Sequence, residues 1–139
     1  MYRLSKIFKE KGLKLTPQRI AVYDYLMSTK EHPSAEIIYH DLIKEFPSMS
    51  LATVYKSLKV LCDAHLVQEL NLGEGNFRYD ALVEEHPHIQ CTICSRVEDI
   101  LGVPMTLINQ EIDKHTDYTI QRNKLYFYGV CRSCQAKEA

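Results

Sequence analysis

Two Cys-x-x-Cys pairs near the C-terminal end constrain this chain more than any other feature. They are Cys91-Thr-Ile-Cys94 and Cys131-Arg-Ser-Cys134, and residues 95–130, a stretch of 36, separate them. Thiolates two residues apart on a turn can both reach one tetrahedral ion, and two such turns complete a four-sulfur zinc site. The spacing therefore predicts a structural zinc ion that holds both ends of a small domain together.

Two other uses of paired cysteines fit this sequence less well. Disulfides are disfavoured by a reducing compartment and by the odd fifth cysteine, Cys62. A thioredoxin-type active site needs one Cys-x-x-Cys after a strand, not two that bracket a domain. We interpret Cys62 as a packing residue of a helix.

Length and composition suit one domain or two small ones, because 139 residues lie within the usual range for either. With 45% hydrophobic and 25% charged residues, the composition is that of a globular protein and not of a disordered one. No apolar run approaches the roughly 18 residues of a membrane span, and the first twelve residues contain no uninterrupted apolar segment of a secretion signal. We therefore expect a cytoplasmic protein with no membrane partner.

The first half of the sequence predicts three helices followed by a hairpin. Helix starts are indicated at Thr16-Pro17, at Pro33-Ser34 and at Ser50, the last helix running to about Ala64. Two short strand-like runs follow, Leu66–Leu72 and Phe77–Ala81. Three helices and a two-stranded ribbon are typical of a winged-helix DNA reader, with the third helix as recognition helix. The alternative is a helical subdomain with exposed lysines.

Charge is distributed unevenly between the two ends of the chain, although the net charge is only -1. Residues 1–20 carry six basic side chains against one acidic, whereas residues 84–139 carry six basic against eight acidic. This asymmetry fits a basic N-terminal surface that faces phosphates, but it equally fits a solvated amphipathic helix. The third helix presents Leu51, Val54, Leu58 and Leu61 on one face and its lysines on another. Candidate DNA contacts are Lys14, Thr16, Arg19, Ser50, Thr53, Tyr55, Lys56 and Lys59.

The second half predicts a small mixed domain after a linker at Glu84-Glu85. Strands are expected at 88–91 and 96–101, a helix from Pro104 to about His115, and a strand-rich stretch from Tyr118 to Val130. We therefore predict an α+β protein with a winged-helix domain over residues 1–83 and a small α/β domain over residues 84–139. A unit this small needs a metal, a partner chain or both.

Histidines and carboxylates outside the cysteine pairs form a second candidate set of ligands. His86-x-His88 places two imidazoles on one side of an extended segment, and His32, Asp80 and Asp99 offer further donors. Nitrogen and oxygen donors without sulfur favour iron, manganese or zinc over copper(I), and an open mixed site suits ferrous iron. Taken singly, each histidine is more often a surface or capped residue. Three histidines have no matching neighbours and are interpreted as structural: His40, His65 and His115.

Taken together, these motifs resemble the ferric uptake regulator family, and specifically its peroxide-sensing branch. The matching segments are LTPQR (15–19), EHPSAEIIY (31–39), FPSMSLATVYKSL (46–58), RYD (78–80), HPHIQCTIC (86–94) and YGVCRSC (128–134). The resemblance implies a winged helix followed by an α/β dimerisation domain. It also implies a homodimer on a palindromic DNA operator.

Ligand roles follow from the resemblance residue by residue. It implies that Cys91, Cys94, Cys131 and Cys134 bind structural zinc, and that ferrous iron or manganese is bound by His32, Asp80, His86, His88 and Asp99. In the iron form, hydrogen peroxide would oxidise a ligand histidine, His32 or His86. Asp80 stands where iron sensors usually have glutamate. A further site of iron sensors uses a histidine in the last long strand, where this chain has Arg122 and Asn123, so we do not expect that site.

We therefore predict a metal-dependent repressor, and not an enzyme, whose regulatory ion takes ligands from both halves of the chain. Its partners would be operator DNA and a second copy, with metal ions and peroxide as its small molecules. One rival is a sensor of iron, zinc or another metal on the same scaffold without peroxide sensing. An enzyme, such as a zinc deaminase or hydrolase, is another, but deaminases pair HxE with PCxxC, whereas here the motif is HxH and Gln90 precedes Cys91. A structural zinc-ribbon adaptor is the third.

Overall fold

A computed structural model describes residues 2–138 of the chain, and the side chains of residues 4–137. Met1 and Ala139, the outermost residues of the two predicted domains, lie outside this description. The chain divides into two compact units, Met1–Val83 and Glu84–Ala139, called here the N-terminal and C-terminal units. Within the described part of the chain, no helix has both the length and the apolar character needed to cross a membrane.

The N-terminal unit consists of four helices and a hairpin. The helices are α1 (Tyr2–Glu10), α2 (Pro17–Met27), α3 (Ala35–Leu42) and α4 (Leu51–Asp63). The hairpin pairs β1 (Gln68–Leu70) with β2 (Arg78–Asp80) in antiparallel register. The order α2, α3, α4 and hairpin along the chain confirms the predicted order of elements. Helix α1 comes before these elements.

Local side chains explain why α2, α3 and α4 begin where they do. Thr16, Ser34 and Ser50 each have extended backbone, and each side-chain oxygen accepts a hydrogen bond from the backbone N–H three residues later. These bonds satisfy donors that the first helical turn leaves unpaired. Pro17 occupies the first position of α2, where its missing N–H is not needed.

The apolar core of the N-terminal unit collects side chains from all four helices and the hairpin. Phe8 of α1, Ile38 of α3 and Leu61 of α4 are each fully buried. On α4, Val54 and Leu58 are also buried, whereas Lys56 and Lys59 are exposed. The division of this helix into an apolar and a lysine-bearing face is therefore confirmed.

The C-terminal unit is a three-stranded sheet with two helices. Its elements are β3 (His88–Cys91), β4 (Val97–Asp99), α5 (Met105–Asp113), β5 (Tyr126–Gly129) and α6 (Arg132–Glu138). The strand order is β4-β3-β5, antiparallel between β3 and β4 and parallel between β3 and β5. This arrangement of helices and small sheets confirms the α+β class.

The prediction of a strand-rich stretch from Tyr118 to Val130 is wrong for its first part. The only strand in this described stretch is β5, and residues 118–125 form none. Strand propensity is expressed only where a neighbouring strand offers a ladder, and β3 pairs with β5 over four residues. Before β5, the backbone N–H of Asn123 donates to a side chain, Glu85 Oε1, at 3.3 Å. Helix α6 was not predicted.

The C-terminal unit buries few apolar side chains of its own. Helix α5 contains no buried residue, and Leu107 and Ile112 on it are 61% and 52% exposed. Phe127 and Tyr128 of β5 are also exposed. The apolar surface left open on this unit is what a domain stabilised by a metal and a partner would show.

Candidate metal centres

The structure brings the four paired cysteines of the C-terminal unit together. Four sulfur atoms lie within 4.8 Å of one another, those of Cys91, Cys94, Cys131 and Cys134. Cys91 ends β3, and parallel pairing sets it opposite Gly129 of β5, two residues before Cys131. The sheet register therefore delivers the second cysteine pair to the first.

The surroundings of two of these sulfurs shift their pKa in opposite directions. Cys91 Sγ accepts hydrogen bonds from the backbone N–H groups of Cys131 (3.3 Å), Ile93 (3.4 Å) and Cys94 (3.5 Å). The bonds from Cys131 and Cys94 have the largest effect and lower the pKa of Cys91 to about 6. Cys134 behaves oppositely, because its hydrogen bond with Cys131 and its burial raise its pKa to about 12. A bound dication would let all four ionise, and four sulfurs are a donor set that suits zinc.

A second group of donors lies at the edge of the same unit, away from sulfur. His88 on β3 and Asp99 on β4 are directly opposite in the antiparallel register. Asp99 Oδ1 lies 2.8 Å from His86 Nε2 and 3.2 Å from His88 Nε2. The rings of His86 and His88 are 4.3 Å apart between centroids. Two imidazoles and one carboxylate thus converge on one point.

Hydrogen bonding fixes how His86 presents its ring. Its Nδ1 lies 2.6 Å from the carbonyl oxygen of Glu84, and in the neutral tautomer that donates to this carbonyl Nδ1 carries the proton. The lone pair of Nε2 then faces a carboxylate oxygen of Asp99, which also carries lone pairs. A cation between these two atoms would accept both lone pairs. A histidine that binds a metal through one ring nitrogen usually donates the N–H of the other to a group such as a backbone carbonyl.

In the N-terminal unit, His32 and Asp80 form a buried pair. His32 Nε2 lies 3.3 Å from Asp80 Oδ2, and the side chains are 1% and 9% exposed. The other oxygen, Asp80 Oδ1, accepts the backbone N–H of Leu82 at 2.9 Å. A hydrogen bond from Tyr79 N to Pro33 O, 3.0 Å, connects strand β2 to the loop of His32. Two donors 48 residues apart in sequence (80 minus 32) are thereby placed side by side.

The backbone of His32 is itself unusual, with φ at 54°. This left-handed conformation is disfavoured for residues other than glycine, although histidine is among those that adopt it more often. Such strain persists where the surroundings hold it, and it is concentrated at functional sites. The donors of both groups are imidazole nitrogen and carboxylate oxygen, which fit iron, manganese or zinc.

Several candidate DNA contacts have structural partners within the N-terminal unit. Thr16 and Ser50 cap their helices, and Ser50 Oγ also lies 2.9 Å from Thr53 Oγ1. Arg19 Nη1 donates to the carbonyl oxygen of Lys14 at 3.1 Å. Lys59 is 3.5 Å from Asp63 in an exposed ion pair, whose contribution to stability is small. Lys14, Lys56 and Lys59 are exposed and remain available to phosphates.

Tyr55, the aromatic candidate on α4, is held by a residue that sequence reasoning did not single out. Its hydroxyl donates to Glu36 Oε1 at 2.6 Å, and 43% of Tyr55 is exposed. This bond lowers the pKa of Glu36 and raises the pKa of Tyr55. With the hydroxyl engaged, the ring of Tyr55 is the part left for contact with a base, such as a thymine methyl.

A cluster of three polar residues was also missed. Glu85, Asn109 and Asn123 share hydrogen bonds in the C-terminal unit. Glu85 and Asn109 are 24 residues apart and match no ligand or catalytic spacing, whereas Asn123 was noted only as standing where iron sensors have a histidine. Arg122 is exposed next to this cluster.

Comparison with known proteins agrees with these features. The model of the ferric uptake regulator family matches residues 10–128. The transcriptional regulator PerR of Clostridium acetobutylicum is 61% identical over 137 residues, which cover 99% of each chain. The peroxide operon regulator of Bacillus subtilis is 37% identical over 94% of this chain and 90% of its own length. The ferric uptake regulator Fur of Helicobacter pylori, described as having three functional metal-binding sites, superposes with a TM-score of 0.80 at 25% identity, covering 99% of this chain and 93% of its own. The chain belongs to the ferric uptake regulator family, on its PerR-like branch.

Proposed function

We propose that this chain, a PerR-type metal-dependent regulator, represses transcription in the cytoplasm by binding a palindromic operator as a homodimer. A regulatory ion, iron(II) or manganese(II), would favour the DNA-binding conformation. Hydrogen peroxide would end repression by oxidising a ligand histidine. The protein is a regulator in this proposal, and not an enzyme.

The observation that carries the proposal is the separation of two kinds of donor set. The cysteine cluster offers four sulfurs, which suits a permanently bound zinc ion. His86, His88 and Asp99 offer no sulfur, nor do His32 and Asp80. Imidazole nitrogen and carboxylate oxygen suit an exchangeable iron(II) or manganese(II) ion. One protein with both sets can keep its fold while its regulatory ion changes.

We propose that all five sulfur-free ligands serve one ion. Support comes from the family resemblance and from the incompleteness of each group, since two or three protein donors leave an ion mostly in water. An ion that draws ligands from both units favours the arrangement in which it binds more tightly. Loss of one ligand reduces that preference and with it the affinity for DNA.

The redox step is a property of iron that manganese does not share in this proposal. Iron(II), when bound, supplies the redox chemistry with hydrogen peroxide. The chain supplies an oxidisable imidazole, that of His32 or His86. In the net reaction one oxygen atom of hydrogen peroxide enters a ring C–H bond of the histidine, and the remaining atoms leave as one water molecule.

The DNA-binding and dimeric states rest on two different surfaces. Lys56 and Lys59 are exposed on α4, beside the ring of Tyr55, and such a helix face fits a major groove. In the C-terminal unit, an apolar groove of about 360 Å³ is lined by residues that include Ile108, Leu125 and Phe127. A second copy that covers this groove would bury the exposed rings of Phe127 and Tyr128, which line it.

Replacing His32 tests the shared ion. We expect His32→Ala to abolish manganese-stimulated binding to duplexes that the wild-type protein selects from a randomised pool, while zinc content stays unchanged. His86→Ala should do the same without involving the strained backbone of His32. His40→Ala, at an exposed histidine of α3, is the matched control. Gel-shift titrations in which His32→Ala and His86→Ala retain the full manganese response would reject the proposal.

Mass spectrometry separates the peroxide sensor from a metal sensor of the same family. Iron-loaded and manganese-loaded proteins are treated with hydrogen peroxide and digested. We expect one added oxygen on a peptide that contains His32 or His86, in the iron form only. If no histidine peptide gains oxygen, the alternative holds, namely an iron- or zinc-responsive repressor without peroxide sensing.

A further inference from the structure

Three side chains that belong to neither donor set form a closed cluster beside His86. Asn109 Nδ2 donates to Glu85 Oε2 at 3.4 Å, and the backbone N–H of Asn123 donates to Glu85 Oε1 at 3.3 Å. Asn123 Nδ2 also donates to Asn109 Oδ1. Both oxygens of Glu85 are therefore used, and each side of the triangle is a hydrogen bond. We call this cluster the Glu85 clamp.

The clamp joins three separate segments of the C-terminal unit. Asn109 lies on α5, Asn123 lies in the irregular stretch before β5, and Glu85 lies in the segment before β3. No strand includes residues 84–87 in the described chain, and the ladder of β3 begins at His88, so residues 84–86 lie outside it. Its position depends on contacts such as those of Glu85.

The ligands of the C-terminal unit differ in how they are held. His88 and Asp99 face each other across two paired strands, so the ladder of β3 and β4 fixes both. His86 lies outside the ladder, two residues before β3. Pro87 restricts its backbone to extended conformations, and Ile100 N bonds to Pro87 O at 2.8 Å on the far side. On the near side, the bond from His86 Nδ1 to the Glu84 carbonyl needs residues 84 and 85 to be in place.

We propose that Glu85 is a positioning residue for the regulatory ion, acting through His86. By bonding to α5 and to the backbone at Asn123, its carboxylate anchors the turn whose carbonyl oxygen orients the His86 ring. Glu85 itself contacts no atom of His86 in the bonds described. This inference rests on the proposed regulatory site and adds to it a residue that no ligand pattern identifies.

Manganese affinity of the full-length, zinc-loaded protein tests the clamp. We expect Glu85→Ala and Asn109→Ala each to weaken manganese binding about three- to tenfold by isothermal titration, because losing a bond one step behind a ligand costs less than losing a direct partner of the ligand. The double variant should bind manganese about as tightly as Glu85→Ala alone, since Glu85→Ala already removes the bond that Asn109 makes to the carboxylate. Glu85→Gln, which keeps one oxygen acceptor, should recover part of the affinity.

Glu98→Ala is the control for charge. Glu98 is adjacent in sequence to Asp99 and exposed, and on β4 its side chain points to the opposite face from that of Asp99. It removes the same negative charge, so a general loss of cation attraction would weaken binding equally in Glu98→Ala and Glu85→Ala. That result would overturn the clamp.

The outcomes also separate the clamp from the proposed function. Wild-type protein that binds zinc but no manganese would overturn the regulatory site and the clamp with it. If Glu85→Ala and Asn109→Ala bind manganese as tightly as the wild-type protein, the role of the clamp is overturned and the proposed function is not. Measurements are made well below the midpoint of thermal unfolding, with zinc content checked, so a variant that is merely less stable keeps its affinity.

Discussion

The two units of this chain solve the problem of stability in different ways. In the N-terminal unit, buried side chains from every helix meet in one apolar cluster that includes Phe8, Ile38 and Leu61. In the C-terminal unit, helix α5 buries no residue, and the buried thiols of Cys91 and Cys134 belong to the candidate zinc site. The first unit is stabilised by the hydrophobic effect, whereas the second buries little apolar surface and brings four cysteines together, the features of a domain that a metal stabilises.

The two units also differ in how their helices begin. Helices α2, α3 and α4 each begin with a side-chain cap, but α5 has Pro104 at that position and no side-chain cap bond. The C-terminal unit therefore depends more on interactions between residues distant in sequence, among them the cysteine cluster and the pairing of β3 with β5. The four-cysteine cluster lies wholly in the C-terminal unit, whereas the apolar core lies in the N-terminal unit.

Removing zinc should have the largest effect and should fall on one unit only. We expect a strong chelator, or Cys91→Ser, to unfold the C-terminal unit, because structural zinc contributes on the order of 10 kcal/mol in small domains. Amide NMR spectra should lose dispersion for residues of that unit and keep it for residues of the N-terminal unit. If both sets of signals collapse together, the contrast between the units is wrong.

A core truncation in the N-terminal unit should show the reverse pattern. Ile38 is fully buried and its neighbour Ile37 is 53% exposed, so the two offer a matched pair on one helix. We expect Ile38→Ala to lower the free energy of unfolding by about 2–5 kcal/mol, and Ile37→Ala by less than about 0.5 kcal/mol. Urea unfolding measures both. A fall in zinc content with Ile38→Ala would argue that the units do not fold independently.

How well the sequence predicted each part follows from the same contrast. Helix caps and apolar spacing are local signals, so the elements of the N-terminal unit could be read from Thr16, Ser34 and Ser50. The cysteine pairs could be read because two ligands on one turn have a fixed spacing. The stretch 118–125 was assigned wrongly because strand formation depends on a partner strand, which local propensity does not reveal.

The residues of the candidate sites also differ in whether a local sequence signal identifies them. The neighbours His86 and His88 gave a local signal, whereas the bonds of Glu36 to Tyr55 and of Glu85 to Asn109 join residues distant in sequence. His32 and Asp80 were named as available donors, but their role as ligands came from the family resemblance, because nothing in their separate surroundings indicates that they meet. Contacts between polar side chains that follow no regular spacing in the sequence become visible only once the fold is known.

Helix caps in the N-terminal unit should contribute a smaller amount than its core. Ser34 Oγ accepts the backbone N–H of Ile37 at 3.3 Å, and no equivalent bond begins α5. We expect Ser34→Ala to lower the free energy of unfolding by about 1 kcal/mol, because one donor of the first turn loses its partner. Ser48→Ala, at an exposed serine outside any helix, is the control. Equal urea midpoints for the two variants would contradict the role of the cap.

The smallest expected effect is a gain in stability at the end of α4. His65 has a left-handed backbone with φ at 60°, and bonds from His65 N to Cys62 O and from Leu66 N to Leu61 O, both 3.0 Å, close the helix in the manner that usually employs glycine. Because glycine adopts this conformation without strain, His65→Gly should raise the free energy of unfolding by about 0.5–1 kcal/mol. His65→Ala keeps the strain and removes only the imidazole, so it should bring no such gain. If alanine stabilises the N-terminal unit as much as glycine, the benefit comes from losing the side chain, and His65 has a role other than the structural one assigned to it.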